Sequence, residues 1–357
     1  MTSGFNRQWI FRQYVLPDEY PQEKHFEFVQ SPIPEIQDGE VLVRVLLLGT
    51  SPAQRMYVTK ESVFHIKVEI GEVMSGRGVG VIVASKHESF DEGDIVQGTL
   101  GWQDYVAISA DPLIVDGRHV TPIQRVDNPV RPLTTILGLF GQLAMSAYVG
   151  IIEIGQVNKG DTVVVSSAAG GVGSIACQLA RIQGASRVIG IAGGEDKCRW
   201  LLEQSLCDEA IDYKSDDFEQ QMATILADGV DVYLDSVGGD MLDLVLQHLA
   251  INARVVLCGH ISTEYQRPRP PGPRHYFNLL YQRARMEGFF VFDYLTRWPE
   301  FEAQLRIWQA EGQLKLVDHV FDGLEYMPSA LTSMFNGTHI GGCVVRLADD
   351  PSQIPEL

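Results

Sequence analysis

The sequence predicts an α/β protein in which a doubly wound parallel sheet is inserted into a β-rich domain. Three observations carry this expectation. The first third is built of β-branched runs separated by Gly, Asp and Ser turns; from about residue 134 strands alternate with helices at the spacing of a parallel sheet; and the last segments are too short to form a domain, so they return to the first one. The expected division is 1–133 with 311–357 for the β-rich domain, and 134–310 for the parallel-sheet domain. A chain of 357 residues also exceeds the ~250–300 residues that one core serves.

The elements follow in order. "GEVLVRVLLLGT" (39–50), "GVGVIVAS" (78–85) and "GDIVQGTLGWQDYVAIS" (93–109) read as strands of a small antiparallel barrel or sandwich. A helix-like segment over 138–152 leads to a strand at 162–166, a glycine turn, and a helix over 172–183. Strand 187–192, helix 197–204 and strand 210–213 come next, then strands 230–235 and 254–258 with a helical 241–249 between them. "RPRPPGPRH" (267–275) interrupts as a proline-rich loop. "MEGFFVFDY" reads as a late strand, "WPEFEAQLRIWQAEGQL" as an amphipathic helix and "GGCVVRL" as a closing strand.

Composition narrows the function. With 45% hydrophobic and 21% charged residues the chain reads as globular, and its net charge of -18 argues against nucleic acid or an anionic membrane as partner. An anionic cofactor stays possible, because it needs only a local cation. No apolar stretch approaches the ~20 residues that span a bilayer. The start, "MTSGFNRQWIFRQ", lacks a signal core, so a mature cytoplasmic protein is expected. Cys177, Cys198, Cys207, Cys258 and Cys343 form no CxxC pair and read as free buried thiols. Without HExxH or clustered Cys, His and Glu at ligand spacing, no metal is expected.

The chemistry-bearing motif is "SSAAGGVG". Gly170, Gly171, Val172 and Gly173 lie between a strand and a helix start, where backbone amides and the helix dipole can hold a pyrophosphate. An NAD-type site places Asp or Glu about 20 residues further on, at the end of the second strand. Here that place reads "IAGGEDK": Gly193 and Gly194 leave space and Lys197 follows one helical turn later, which suits a 2′-phosphate and therefore NADP(H). The alternative is that Lys197 is a solvated helix-start charge, with Glu195 or Asp196 facing a ribose hydroxyl.

The order of motifs, "GVG…GDIVQG…GWQDYV", "KGDTVVVSSAAGGVG", "DSVGG" and "CGHIS", resembles the medium-chain dehydrogenase/reductases. "PPGPRHY", "RARMEGFFVFDY" and "FNGTHIGGCVVRL" are similar to its zinc-free branch of prostaglandin, alkenal and double-bond reductases. The resemblance implies a Rossmann domain inserted in a GroES-like domain, a homodimer, and NADPH as cofactor. It implies that Lys197 and Tyr213 hold the 2′-phosphate end, that Cys258, Gly259, His260, Ile261 and Ser262 line the cofactor, and that Phe289, Phe290 and Val291 lie beside the nicotinamide. It matches Tyr265 to the tyrosine that faces the substrate carbonyl. The implied reaction delivers hydride to the β-carbon of an α,β-unsaturated ketone or aldehyde, with the enolate held by hydroxyl donors.

Several positions depart from that pattern. Ala53 stands where relatives often carry a pocket tyrosine; Ser236 and His339 replace asparagines that would lie near the cofactor; Gly342 replaces a lysine; and Glu264 is one residue more than the family spacing before Tyr265. His339 reads either as a polar contact or as a helix-end histidine, and His260 as a packing or hydrogen-bonding residue. A quinone or carbonyl reductase, or a nucleotide-binding protein without catalysis, remains an alternative on the same scaffold.

Overall fold

The structure is a computed structural model that describes residues 4–60, 67–115, 118–120, 122–263, 266, 268 and 270–353. It divides into two units. One comprises Met1–Leu137, Asp318–His339 and Cys343–Leu357, and the other Gly138–Val317 and Ile340–Gly342.

The first unit opens with β1 (Phe5–Phe11) paired antiparallel to β2 (Phe26–Pro32). Then come β3 (Glu40–Gly49), the short α1 (Gln54–Tyr57), β4 (Arg77–Ser85), β5 (Ile95–Thr99), β6 (Tyr105–Ser109), a small hairpin of β7 (Leu113–Val115) and β8 (Arg118–Val120), β9 (Ile123–Arg125) and α2 (Thr134–Leu137). Alternation in β3 buries Val41, Val43 and Val45 on one face, as a half-buried strand requires. Gly80 lets β4 close on β3, since a Cβ there would lie 2.4 Å from a Val43 methyl. "GDIVQGTLGWQDYVAIS" is two strands, β5 and β6, not one, because Gly101 has a positive φ of 73° and the chain turns there.

The second unit begins with α3 (Gln142–Tyr148), which runs into π-helical turns over Val149–Ile154. It continues through β10 (Thr162–Val165), α4 (Gly171–Ile182), β11 (Arg187–Ala192), α5 (Glu195–Glu203), β12 (Glu209–Asp212), α6 (Phe218–Ile225), β13 (Val230–Asp235), α7 (Gly239–Val245), β14 (Leu249–Leu257), α8 (Asn278–Gln282), β15 (Arg285–Gly288) and α9 (Trp298–Ala310). The six strands are parallel in the order β12-β11-β10-β13-β14-β15, a doubly wound sheet with a switch point between β10 and β13. The fully buried Val163, Val164, Val165 and Val232 explain the uninterrupted apolar runs, since both faces of such a sheet are covered.

Two expectations are corrected in this unit. Of the run "MEGFFVFDY" only Met286–Gly288 pairs, as part of β15; Val291–Arg297 forms 3₁₀ turns, with the rings of Phe290 and Phe292 edge-on at 5.1 Å. The helical 241–249 ends earlier, because Leu246–His248 is a 3₁₀ turn and β14 already starts at Leu249.

The chain then returns to the first unit as β16 (Asp318–Asp322), α10 (Met327–Asn336) and β17 (Gly342–Arg346), extending the antiparallel sheet to β16-β17-β3-β4-β5-β9 with β6 also on β3. Leu324, Met327, Ala330 and Leu331 bury themselves in the core that Trp9, Val43 and Trp102 also form.

Asp318, at the start of β16, has both carboxylate oxygens buried and, among the described residues, no partner in hydrogen-bonding geometry. Burial pushes its pKa up to about 6, and the nearby Thr134 hydroxyl opposes this only in part. An acid with a raised pKa binds its proton more tightly folded than unfolded, so its charge becomes a penalty as pH rises from about 4 to about 6. Asp318→Asn is expected to stabilise the protein by about 1–3 kcal/mol near pH 8 and to have little effect near pH 4. Urea melts at both pH values check this; an equal change at both would exonerate the carboxylate.

Candidate functional site

The second unit gathers most of the sequence-predicted residues at the carboxyl ends of its strands. Gly170 is the N-cap of α4, and no side chain caps that helix or places an acid in its first turn. Its leading amides are therefore available to an anion. A Cβ on Gly173 would sit 2.2 Å from the Ser167 carbonyl oxygen, so the turn closes only around glycine there. Gly171 has a different reason: its Cβ would meet Leu143 at 2.8 Å and the Gly342 Cα at 3.1 Å. Gly341 donates its N–H to the Ala169 carbonyl at 2.7 Å and so fixes the outer side of the turn. Ser167, at φ 50°, holds a left-handed conformation unusual for a non-glycine residue. Val172 lies within α4, and Cys177 packs fully buried one turn later with its sulfur 3.5 Å from that of Cys207.

Behind the turn stands a buried acid that sequence reasoning missed. Asp235 ends β13 and is wholly buried. Its Oδ1 accepts the Tyr233 hydroxyl at 2.9 Å and the N–H groups of Val237 and Gly238 at 2.9 and 3.0 Å. Ser166 donates to it at 3.4 Å and accepts the Ser236 N–H at 2.8 Å, joining the ends of β10 and β13. Burial raises the Asp235 pKa, while the donors work against it. The one sequence signal was period two: Tyr233 and Asp235 share a strand face.

The loop after β14 folds onto the loop after β13. Cys258 and Gly259 donate their N–H groups to the Asp235 carbonyl at 2.7 and 3.1 Å, and Ser262 donates its N–H and its hydroxyl to Val237 at 3.0 and 2.7 Å. Ile261 donates to the Ser236 carbonyl at 3.4 Å. Ser236 and residues 258–262 are thus brought together. Burial pushes the Cys258 thiol up to about 11, so it stays protonated at neutral pH. His260 is exposed, with Nδ1 3.3 Å from the Thr263 hydroxyl.

At the end of β11, the expectation that Gly193 and Gly194 both leave space holds only for Gly194, which has nothing within 4 Å of a Cβ; at Gly193 the ring of Tyr213 fills it, 2.7 Å from where a Cβ would stand. Lys197, half-buried, sits in the first turn of α5. Asp212, also missed from sequence, fixes this corner by accepting the N–H of Gly194 at 2.7 Å and of Lys214 at 2.9 Å. Asp196 pairs with Arg199, and Glu195 reaches the same arginine at 4.0 Å. Phe289, Phe290 and Val291 follow β15, with Val291 buried. His339 belongs to the first unit, buried, with Nδ1 3.0 Å from the Ser333 carbonyl in the last turn of α10. Tyr265 and Glu264 lie outside the described residues.

These features match known proteins along the whole chain. A family model described as the N-terminal domain of oxidoreductase covers residues 7–115, and one described as zinc-binding dehydrogenase covers residues 171–310. The NADPH-dependent curcumin reductase of Escherichia coli is 34% identical over 97% of this chain and 98% of its own length. The chain belongs to the medium-chain dehydrogenase/reductases, in the zinc-free double-bond reductase branch. The 2-alkenal reductase (NADP(+)-dependent) of Nicotiana tabacum is 33% identical over 96% of this chain and 98% of its own. The crystal structure of CurA from Vibrio vulnificus in complex with NADPH superposes with a TM-score of 0.86 at 35% identity, covering 96% of this chain and all of that one. Among the described residues no three His, Cys, Asp or Glu side chains are grouped to hold a metal ion, and no helix is long and apolar enough to cross a membrane.

Proposed function

We propose that this oxidoreductase uses NADPH to reduce the carbon–carbon double bond of α,β-unsaturated ketones or aldehydes. The observation that carries the reading is end-to-end similarity to enzymes named for NADPH-dependent curcumin reduction and for 2-alkenal reduction. The residues fit the cofactor. The uncapped N-terminus of α4 suits a pyrophosphate, and the open side of Gly194, with Lys197 in the first turn of α5, suits a 2′-phosphate. Ser236 and residues 258–262 would line the nicotinamide half together with Phe289, Phe290 and Val291.

When bound, NADPH supplies the hydride, which this reading sends to the β-carbon. Tyr265 donates its phenolic O–H to the carbonyl oxygen as negative charge develops there; a phenol with a pKa near ~10 keeps that proton at neutral pH. The α-carbon then takes a proton from solvent.

If Lys197 holds the 2′-phosphate, Lys197→Ala removes a charge-assisted bond worth roughly 1.5–3 kcal/mol. The expected result is a ten- to hundredfold weaker affinity for NADPH and little change for NADH, at about tenfold per ~1.4 kcal/mol. Equal losses for both cofactors would reject the assignment.

A second test follows the hydrogen. Reduction of a simple enone with cofactor deuterated at C4 is expected to label the β-carbon alone, whereas label on the carbonyl carbon would identify a carbonyl reductase. Tyr265→Phe is expected to lower turnover roughly ten- to a thousandfold with a smaller effect on binding, because the phenol acts mainly as charge develops. A fully active variant would remove Tyr265 from the site.

The reading includes a homodimer. β15 is the edge of the parallel sheet, with Arg285, Glu287 and Gly288 exposed, and an open edge invites a second copy to pair. Light scattering that returns the mass of a single chain at micromolar concentration would overturn this.

A further inference from the structure

The parallel-sheet unit holds an anion that it solvates but does not neutralise. Asp235 is wholly buried, and every side-chain bond it makes is to a donor. Its Oδ1 accepts from the Tyr233 and Ser166 hydroxyls and from the Val237 and Gly238 N–H groups, and its Oδ2 from the Gly238 N–H at 3.2 Å. A set made only of donors favours the charged form of a carboxyl group. Burial works the other way, and among the described residues no cation takes part in the balance. Hydroxyls and amides are dipoles. They spread the charge without cancelling it, and in a dry interior what remains acts further than it would in water.

That charge reaches the loops that the preceding section gives to the nicotinamide. Ser236 follows Asp235 directly, and the Asp235 carbonyl accepts the N–H groups of Cys258 and Gly259 at 2.7 and 3.1 Å. The Cys258 thiol registers the field. Burial pushes it up to about 11 against a bond from Ser236, and the Asp235 charge adds to the rise. Close packing leaves little room for screening water between the two loops. A Cβ on Gly238 would lie 3.1 Å from that of His260, one on Gly239 2.8 Å from the Ser262 hydroxyl, and one on Gly259 3.3 Å from the Ser236 carbonyl.

A nicotinamide ring is neutral while it carries its hydride. It is positive once the hydride, with both electrons of the C4–H bond, has left for the β-carbon of the substrate, whose enolate then takes a proton from solvent. An anion held nearby lowers the energy of the second state and not of the first. We propose that Asp235 tilts the site toward the oxidised cofactor, so that its unneutralised charge helps the hydride to leave. The proposal rests on the cofactor reading above; what it adds is an electrostatic role for a residue behind the site.

Calorimetric titration of wild type and Asp235→Asn with NADP+ and with NADPH, at pH 8 where the carboxylate is charged, separates the charge from the scaffold. Asparagine keeps an oxygen at Oδ1, where four of the five side-chain bonds are made, and puts its amide at Oδ2. The variant is expected to lose about five- to fiftyfold in affinity for NADP+, the scale of one unit charge acting on another across a loop in a protein interior, while its affinity for NADPH holds or rises. Turnover of an enone should fall with little change in KM for NADPH. A loss of the same factor for both forms would overturn the proposal and leave the cofactor reading standing, because Asp235 would then only shape the loops. So would no change for either form. If wild type binds neither form at millimolar concentration, the cofactor reading fails and takes the proposal with it. Should Asp235→Asn not fold, Tyr233→Phe decides. It keeps the carboxylate but removes a dipole that shares its charge, so the preference for NADP+ should rise by about two- to fivefold. An unchanged or smaller preference would overturn the proposal.

Discussion

The carboxylate of Asp235 is the constraint on which the mouth of the parallel sheet depends. It lies wholly inside the protein, where a charge is costly, yet it gathers the Tyr233 hydroxyl, the Ser166 hydroxyl and two successive backbone N–H groups. Those donors come from three places: the strand itself, the neighbouring strand end, and the loop that follows. One side chain thereby sets where β10 and β13 stop and how the next loop leaves. The loop after β14 inherits the arrangement, because Cys258 and Gly259 bond to the main-chain carbonyl of the same aspartate.

The glycine turn uses the opposite economy. Asp235 fills every demand at the strand end, whereas α4 begins with its amides unserved by any side chain. Such a helix end would be a weakness in a purely structural turn. Here it is reinforced from outside, by the Gly341 N–H on Ala169 and by the left-handed Ser167, so the conformation does not rely on the amides that stay open. The return of residues 340–342 to the second unit has a local cause: Gly342 can approach Gly171 closely because Gly171 lacks a side chain, whose Cβ would lie 3.1 Å from the Gly342 Cα.

Much of the fold was legible because its signals are local. β-branched runs, the change of rhythm near residue 134, and glycines between a strand and a helix each report on a few neighbouring residues, and the parallel order follows from their alternation. The late run "GFFVFDY" was not, because an unbroken apolar stretch has no period to separate strand from 3₁₀ turns; Phe290 packs on Phe292, which alternate strand faces could also have placed together. The Ser166–Asp235 pair was invisible for another reason. It joins residues 69 positions apart through the register of two parallel strands, and nothing near either residue announces the partner. Asp212 was hidden behind Tyr213, the neighbour whose ring drew the reading.

The charge of -18 looks at odds with an enzyme that would bind an anionic cofactor. The conflict dissolves once distance is considered. At physiological salt, exposed charges are screened beyond about 8 Å, so most of the acidic surface slows an incoming anion without setting the depth of its well. The well depends on donors that are already in place and partly withdrawn from water, where each interaction is screened less. An uncapped helix start and a half-buried Lys197 are groups of that kind. The acidic surface then selects against weakly held anions, because they meet its repulsion without the compensating contacts.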